Sequence, residues 1–378
     1  MPPFLIRLLA LAHKEVIHVV RDRQVIYLAL GMPLVMVLLF GYGVTFDVED
    51  VRLAVVDHDS SPESRAFLDA MVATGTFTLS HRLDRADQVD ALFRRGEIKG
   101  ALVIPPGYAR DLARGGDARI QFLMDGADGT TTRIALGYAR GVSQQQLIKL
   151  LRSRGGAAGQ GLGLPLEPRV RTWFNPRMRS ALFVVPGLVA LILAMISVLL
   201  SALTVAREWE RGSMEQLFTT PVGRLSVVLG KLLPYLGLGL LQALLVLTAG
   251  AWLFDVPLRG SFWLLLASTT MFLICVLGQG LLISTITRSQ QVATQVGAVS
   301  SMLPSLLLSG FLFPVDNMPT LLQVVSYIVP ARYYITCIRG VMLQGRGVAQ
   351  LWPDLLGLAV LGVLVIGVCT AKFKRSLD

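Results

Sequence analysis

The chain is short of charge. Asp, Glu, Lys and Arg make up 16% of its 378 residues, against 53% hydrophobic ones. Soluble globular chains carry roughly 25% charge, and the mean hydropathy here is +0.60. The deficit excludes an ordinary soluble globule and points to a polytopic membrane protein. Cysteine is scarce too. Cys275, Cys337 and Cys369 are the whole complement. An odd count without metal spacing argues against a disulfide framework and gives no metal site. A phosphate loop is also lacking. Gly230–Lys231 is the one Gly-Lys pair, but Leu225 stands where the first loop glycine belongs and Leu232 where the hydroxyl belongs. The chain is therefore expected to hydrolyse no ATP and to hold no cofactor of its own. Gly-rich 155–163 lacks the preceding strand and following helix of a dinucleotide site and reads as a linker. No cleavable leader is expected, because Arg7 interrupts the apolar patch Phe4–Ala12 and no small-residue cleavage site follows.

What charge there is carries topology. The formal net charge of +10 is scattered along the edges of apolar runs, where basic residues set orientation and meet anionic lipid. Nucleic acid is not an expected partner. Residues 1–23 read as an interfacial helix. Arg7, Lys14 and Arg21 form a basic stripe opposite Leu5, Leu9, Ala12, Val16 and Val19. An ordinary amphipathic core helix is the blander reading. The first span is 24–46, free of Asp, Glu, Lys and Arg and long enough for a hydrocarbon core of about 30 Å. Lys14, Arg21 and Arg23 precede it, and Asp47, Glu49 and Asp50 follow. The N-terminus is therefore expected inside and residue 47 outside.

Residues 47–180 differ in kind. Val51–Val56, Phe77–Ser80, Gly100–Ile104 and Ile120–Met124 read as strands. Glu63–Ala73, Ala86–Arg94 and about 130–152 read as helices. The alternation predicts a compact extracytoplasmic α/β domain. Gly155–Pro165 reads as a connector, and Arg169–Phe174 as a returning strand. Further charge-free runs at 181–205, 232–254, 261–287, 289–315 and 355–371 bring the total to about six spans. A loop at 206–231 and a tail at 372–378 are expected inside, with both termini cytoplasmic and the protein multi-pass in the cell inner membrane. Segment 316–354 should be external yet carries Arg332, Arg339 and Arg346. It reads as helices dipping into the outer leaflet, allowed only where protein or water satisfies the backbone.

The tempting constellations are weak. Asp57-His58-Asp59-Ser60 lies at a strand end, where adjacent residues do not converge on one point, and turn chemistry accounts for Asp-Ser-Ser-Pro. His13 and His18 are spaced for no helical metal pair. The spans hold no ionisable group of the kind proton-coupled carriers need near the midplane. Tyr235, Gln242 and Gln279 either line a substrate route or tie helices together.

The most informative stretch is Arg207–Lys231, a charged island between apolar runs. Gly212 can end the helix descending from the membrane. Ser213 and Gln216 have the spacing of a capping box. Met214, Leu217 and Phe218 then share one face, and Pro221 stops the helix. The result is a short helix offering an apolar knob framed by Arg207, Glu208, Glu210 and Arg211. It suits a partner groove or a loop folded back on the membrane, and the residues alone do not choose.

The run E-W-E-R-G-S-M-E-Q-L-F-T-T-P-V-G-R…G-K resembles the cytoplasmic loop of ABC-2 type transporter permeases, the membrane subunits of ATP-binding-cassette exporters. K-E-V-I-H-V-V-R-D-R before the first span is similar to the family's connecting helix. S-G-F-L-F-P-V-D-N-M-P and I-V-P-A-R-Y-Y-I-T-C-I-R-G are similar to its outer-leaflet motif. The resemblance covers the whole chain, and the large insert is similar to the drug-export subgroup. Trp209 departs from the expected Arg or Lys, and Ser213 from Thr.

The resemblance implies a coupling helix with Glu215, Gln216 and Leu217 at its centre, docking into a separate cytoplasmic ATPase subunit that carries ATP and Mg. Lys14, Glu15, Arg21 and Asp22 would make a second contact. It also implies a permease dimer, of two copies or of paralogues, with an amphipathic cargo. Membrane lipid and a periplasmic adaptor on 47–180 are further candidate partners. The alternative of another class is a membrane sensor or scaffold with a ligand-binding external domain.

Overall fold

The computed structural model describes residues 3–43, 51–114, 118–126, 129–154, 180–212, 214 and 223–373. The connector 155–165, the returning strand 169–174 and the acidic residues Asp47, Glu49 and Asp50 lie outside these. The chain divides into two compact units, 1–45 with 172–378, and 46–171.

Helix α1 (Pro3–Arg21) ends at Asp22, whose carboxylate accepts from the N–H groups of Gln24 at 3.0 Å and Val25 at 3.4 Å and so caps the next helix. That helix, α2 (Arg23–Gly43), passes through a π-helical turn at Tyr27–Gly31. Pro33 has no N–H for the carbonyl of Ala29, and the wider turn absorbs the missing bond.

The 46–171 unit is a four-stranded mixed sheet in the order β2-β1-β3-β4. Its strands are β1 (Val51–Asp57), β2 (Phe77–Leu83), β3 (Gly100–Ile104) and β4 (Gln121–Met124). Strand β1 runs parallel to both β2 and β3, and β4 is antiparallel to β3. Its helices are α3 (Pro62–Val72), α4 (Gln88–Arg95), α5 (Tyr108–Arg114) and α6 (Gly129–Arg154). Val51, Leu53 and Val55 pack with Phe67, Met71 and Tyr108 on one face. Ala54 and Val56 pack with Val89 and Leu92 on the other. Burial on both faces is why β1 reads as a continuous apolar run and not as an alternation.

The remaining helices are α7 (Ser180–Glu210), α8 (Arg224–Phe254), α9 (Phe262–Thr287), α10 (Gln290–Leu307), α11 (Thr320–Ser326), α12 (Pro330–Arg339) and α13 (Val348–Lys372). Among the described residues, five helices are long and apolar enough to cross a membrane: α2, α7, α8, α9 and α13. Helix α7 is the hub, with 78% of its most apolar window buried against 17% for α13. Glycines set its closest approaches. A Cβ on Gly280 of α9 would lie 2.0 Å from Ser201 Oγ and 2.4 Å from the Val198 carbonyl oxygen. One turn on, Ser284 Oγ accepts from the N–H groups of Val205 at 3.1 Å and Ala206 at 2.8 Å.

Three expected boundaries move. Helix α8 begins at Arg224, ahead of the apolar run at 232, so Lys231 lies within it. The run 289–315 is not one continuous helix. Helix α10 stops at Leu307, and its glutamines and serines keep it out of the apolar set. The sixth candidate crossing is instead a pair of helices, Thr320–Ser326 and Pro330–Gln344, bent by 82°. This falls within the stretch expected to dip into the outer leaflet. Helix α13 starts at Val348, before the predicted 355.

Candidate functional site

The charged residues of α1, α7 and α8 converge on one buried junction. Gly230 makes it possible, because a Cβ there would lie 2.8 Å from Leu11 Cβ, so α1 rests directly on α8. The next residue, Lys231, has a side chain only 2% exposed. Its Nζ lies 2.9 Å from Glu15 Oε1 and 2.8 Å from Glu208 Oε2. Glu208 Oε1 in turn takes Lys14 Nζ at 2.9 Å. The order Glu15, Lys231, Glu208, Lys14 alternates in sign and sums to zero. Alternation lets a buried charge survive, since each ion's lost hydration is offset by its neighbours. The Gly-Lys pair is thus a packing and ion-pairing device.

Beside it, Arg207 Nη1 donates to Asp22 Oδ2 at 3.1 Å. Burial alone would raise the Asp22 pKa. The N–H of Val25, the Arg207 guanidinium and the N–H of Gln24 outweigh it and hold the carboxyl below its usual range. One carboxylate therefore caps α2 and clamps the end of α7. Arg21 is exposed at the end of α1. A cleft of about 270 Å³ opens at this junction, lined by Lys14, His18, Thr204, Arg207, Arg211 and Tyr235 among others.

A second junction closes the end of α7 against α9 and α10. Glu210 Oε1 accepts from the Gln290 N–H at 2.7 Å, and Oε2 takes the Gln290 side-chain amide. A carboxylate thus seats on the N-terminus of α10, where the helix dipole favours it. The Arg288 guanidinium lies 4.4 Å from the Trp209 ring centroid, a cation–π contact. Trp209, the departure from the family pattern, supplies the ring for it.

Gly212 has φ of +71° just beyond α7, the left-handed geometry of a helix-terminating glycine. Met214 is 1% exposed and packs with Val205, Val227, Leu281 and Phe373. It therefore faces the chain's own core instead of forming part of a free knob. The reason is that the ends of α7, α8, α9 and α13 together make an apolar seat. Ser213, Glu215, Gln216, Leu217, Phe218 and Pro221 lie outside the described residues.

The three polar span residues have different surroundings. Tyr235 borders the charged cleft. Gln279 Nε2 donates to the Ser300 carbonyl oxygen at 3.3 Å and to its hydroxyl at 3.2 Å, tying α9 to α10. Gln242 is fully buried, and neither amide atom finds a partner among the described residues.

In the other unit, Asp57 Oδ1 accepts from the Ser60 N–H at 2.9 Å and Oδ2 from the Ser64 hydroxyl at 2.6 Å. Asp59 accepts from the N–H groups of Gly107 at 2.8 Å and Ala109 at 3.0 Å. Both carboxylates are occupied by turn and helix-start bonds, which is the turn chemistry expected of this stretch.

The basic residues of 316–354 were the topological anomaly, and two of them are internal pins. Arg339 donates to the carbonyl oxygens of Gly310 at 3.1 Å, Phe183 at 3.2 Å and Phe311 at 3.4 Å, with its guanidinium 3.8 Å from the Phe183 ring centroid. Arg332 donates to the Gln323 carbonyl oxygen at 3.2 Å and lies 3.9 Å from the Tyr327 ring centroid.

Residues 23–369 match the family model of the ABC-2 family transporter protein. The chain is 36% identical over 374 residues to the probable multidrug ABC transporter permease YbhS of Escherichia coli K12, covering 98% of each. It is 28% identical over 371 residues to the probable multidrug ABC transporter permease YbhR of the same strain, covering 98% of this chain and 99% of the relative. A more distant relative is the linearmycin resistance permease protein LnrN of Bacillus subtilis, 20% identical over 382 residues with 95% of each covered. With both the family model and a relative above 30% identity spanning nearly its whole length, the chain belongs to the ABC-2 family of transporter permeases.

Proposed function

We propose that the chain is the membrane-spanning half of an exporter driven by a separate cytoplasmic ATPase, which carries ATP and Mg. It works as a dimer and moves an amphipathic, drug-like or lipid-like molecule out of the cytoplasm or the inner leaflet. The names of the Escherichia coli relatives support the drug-like class. Both termini are cytoplasmic and the 46–171 unit is extracytoplasmic, following the basic residues at the predicted inner edges.

The observation that carries this reading is Lys231 held between Glu15 and Glu208. It fastens α1, the first helix before the membrane, to the two helices that frame residues 211–223. A push on α1 or on that segment reaches the same buried node and is passed to α7 and α8 together. Uncoupled contacts on separate loops would dissipate it.

Two experiments test the proposal. The tagged chain, expressed with its native neighbours, is purified in mild detergent and assayed for ATPase activity. A soluble ATPase should copurify with the wild type and be lost with Leu217→Arg. Purification of the chain without any ATPase would favour a sensor or scaffold. Orientation is read by single-cysteine labelling, for which the background is low because Cys275, Cys337 and Cys369 are all buried. Arg211→Cys should react with an impermeant maleimide only from the cytoplasmic side, and Ser261→Cys only from the outside.

A further inference from the structure

The groove between the start of α8 and the end of α13 has no role in the coupling node. It encloses about 550 Å³ and is lined by Arg224 and Leu225 of α8 and by Val363, Ile366, Gly367 and Thr370 of α13, ending at Ala371. Its floor is apolar. The one hydroxyl, Thr370 Oγ1, donates back to the Ile366 carbonyl oxygen at 2.8 Å. Gly367 borders open space in it, since a Cβ there would meet nothing within 4 Å. Its charge lies at one end only. Arg224 is exposed at the first position of α8, Lys372 closes α13 nearby in sequence, and no acidic residue is among the lining residues. From Val363 to Ala371 the helix rises about 12 Å, most of the half-thickness of a hydrocarbon core of about 30 Å.

A cation at the mouth and an apolar trough running down from it match one kind of occupant. We propose that this groove is a binding site for an anionic phospholipid, with the phosphate on Arg224 and an acyl chain lying over Gly367. Both helices are apolar enough to span the membrane, so the trough lies where acyl chains are the solvent. A zwitterionic lipid would fill the trough equally well but gain nothing from Arg224, which no acidic lining residue opposes among the described residues. That the leaflet is the cytoplasmic one rests on the orientation proposed above. The existence of the site does not.

The test is lipid retention by the purified full-length chain, read by native mass spectrometry in detergent with added phosphatidylglycerol or phosphatidylcholine. The wild type should retain phosphatidylglycerol about fivefold better, the factor one surface cation gives. Arg224→Gln should erase that preference while still retaining either lipid weakly. Gly367→Leu should fill the trough and lower retention of both. Gly237→Leu is the matched control, because its Cβ also meets nothing within 4 Å but the residue is outside the groove. It should behave as wild type. Equal retention of the two lipids by the wild type, or equal effects of Gly367→Leu and Gly237→Leu, would overturn the proposal. So would a Gly367→Leu protein that keeps its lipid but loses its dimer, which would make the groove a seat for a second copy. External labelling of Arg224→Cys would change the leaflet and leave the site standing.

Discussion

Lys231 and Glu15 stand 216 positions apart in sequence, yet Nζ and Oε1 meet at 2.9 Å inside the protein. The pair joins α1 to α8, one of the helices long and apolar enough to cross a membrane. Removing the cation by Lys231→Met leaves Glu15 without its ion pair and Glu208 with its ion pair to Lys14. Breaking a buried pair in this way costs about 3–5 kcal/mol. Thermal unfolding in detergent should fall accordingly. Lys14→Ala should cost under about 1 kcal/mol, since Lys14 is 47% exposed. The double variant Lys231→Met, Glu15→Gln should recover part of the loss. Equal costs for Lys231→Met and Lys14→Ala would remove the node from the coupling argument.

Gly280 predicts an opposite-sign pair of effects. Its Cβ would strike the Val198 carbonyl oxygen and Cα, which are backbone and cannot swing aside. Gly280→Ala should force α7 and α9 apart, at a cost of at least about 1–3 kcal/mol. Gly237→Ala meets open space, and it should be neutral or stabilise by up to about 1 kcal/mol through helix propensity. Melting temperatures of the two variants in the same detergent decide it. A tolerated Gly280→Ala would mean the two helices are not in contact there.

Much of this was legible in the sequence. Charge-free runs located α2, α7, α9 and most of α8 and α13, because the bilayer forbids unpaired charge. The strand β1 announced itself as a β-branched run ending in turn residues. What could not be read was pairing at a distance. Lys231 looked like the edge of a loop because a cation normally ends a span. Only the fold brings it to Glu15 and Glu208. Helix α5 was missed because Pro105-Pro106-Gly107 precedes it and reads as a break. Met214 looked like a partner contact because the i, i+3, i+4 pattern does not say which surface its face meets. The break after Leu307 was hidden for a related reason. Ser309 and Gly310 are apolar enough to continue a run, but Gly310 adopts φ of +80° and turns the chain away.

Arg339 offers a test of geometry against charge. Three carbonyl oxygens from two separate segments converge on its guanidinium. Lysine keeps the charge but loses the planar fork that reaches all three. Arg339→Lys should therefore destabilise nearly as much as Arg339→Met, by about 1–3 kcal/mol for the acceptors left unsatisfied. Hydrogen exchange should rise in both variants at 309–313 and at the start of α7. Full rescue by lysine would show that a cation alone suffices and that the pin is electrostatic.

Asp59 predicts an acid limb confined to one unit. Its carboxyl is held below the ordinary value of 3.8, first by the Ser61 side chain, against the opposing effect of burial, and then by the N–H groups of Ala109, Gly107 and Tyr108. A carboxyl whose pKa is lower folded than unfolded binds fewer protons in the folded state near that pH. Its stabilisation is complete above the ordinary value and is lost as pH falls through the lowered one. Those N–H groups belong to the start of α5, so the loss should appear there first. Hydrogen exchange in the full-length chain should show Tyr108–Arg114 losing protection on acidification below about pH 4, ahead of β1 and β3. Asp59→Asn carries no titrating group, so it should start from lower protection at neutral pH and show a flatter acid limb. An identical acid limb in the variant would assign the effect to groups other than Asp59.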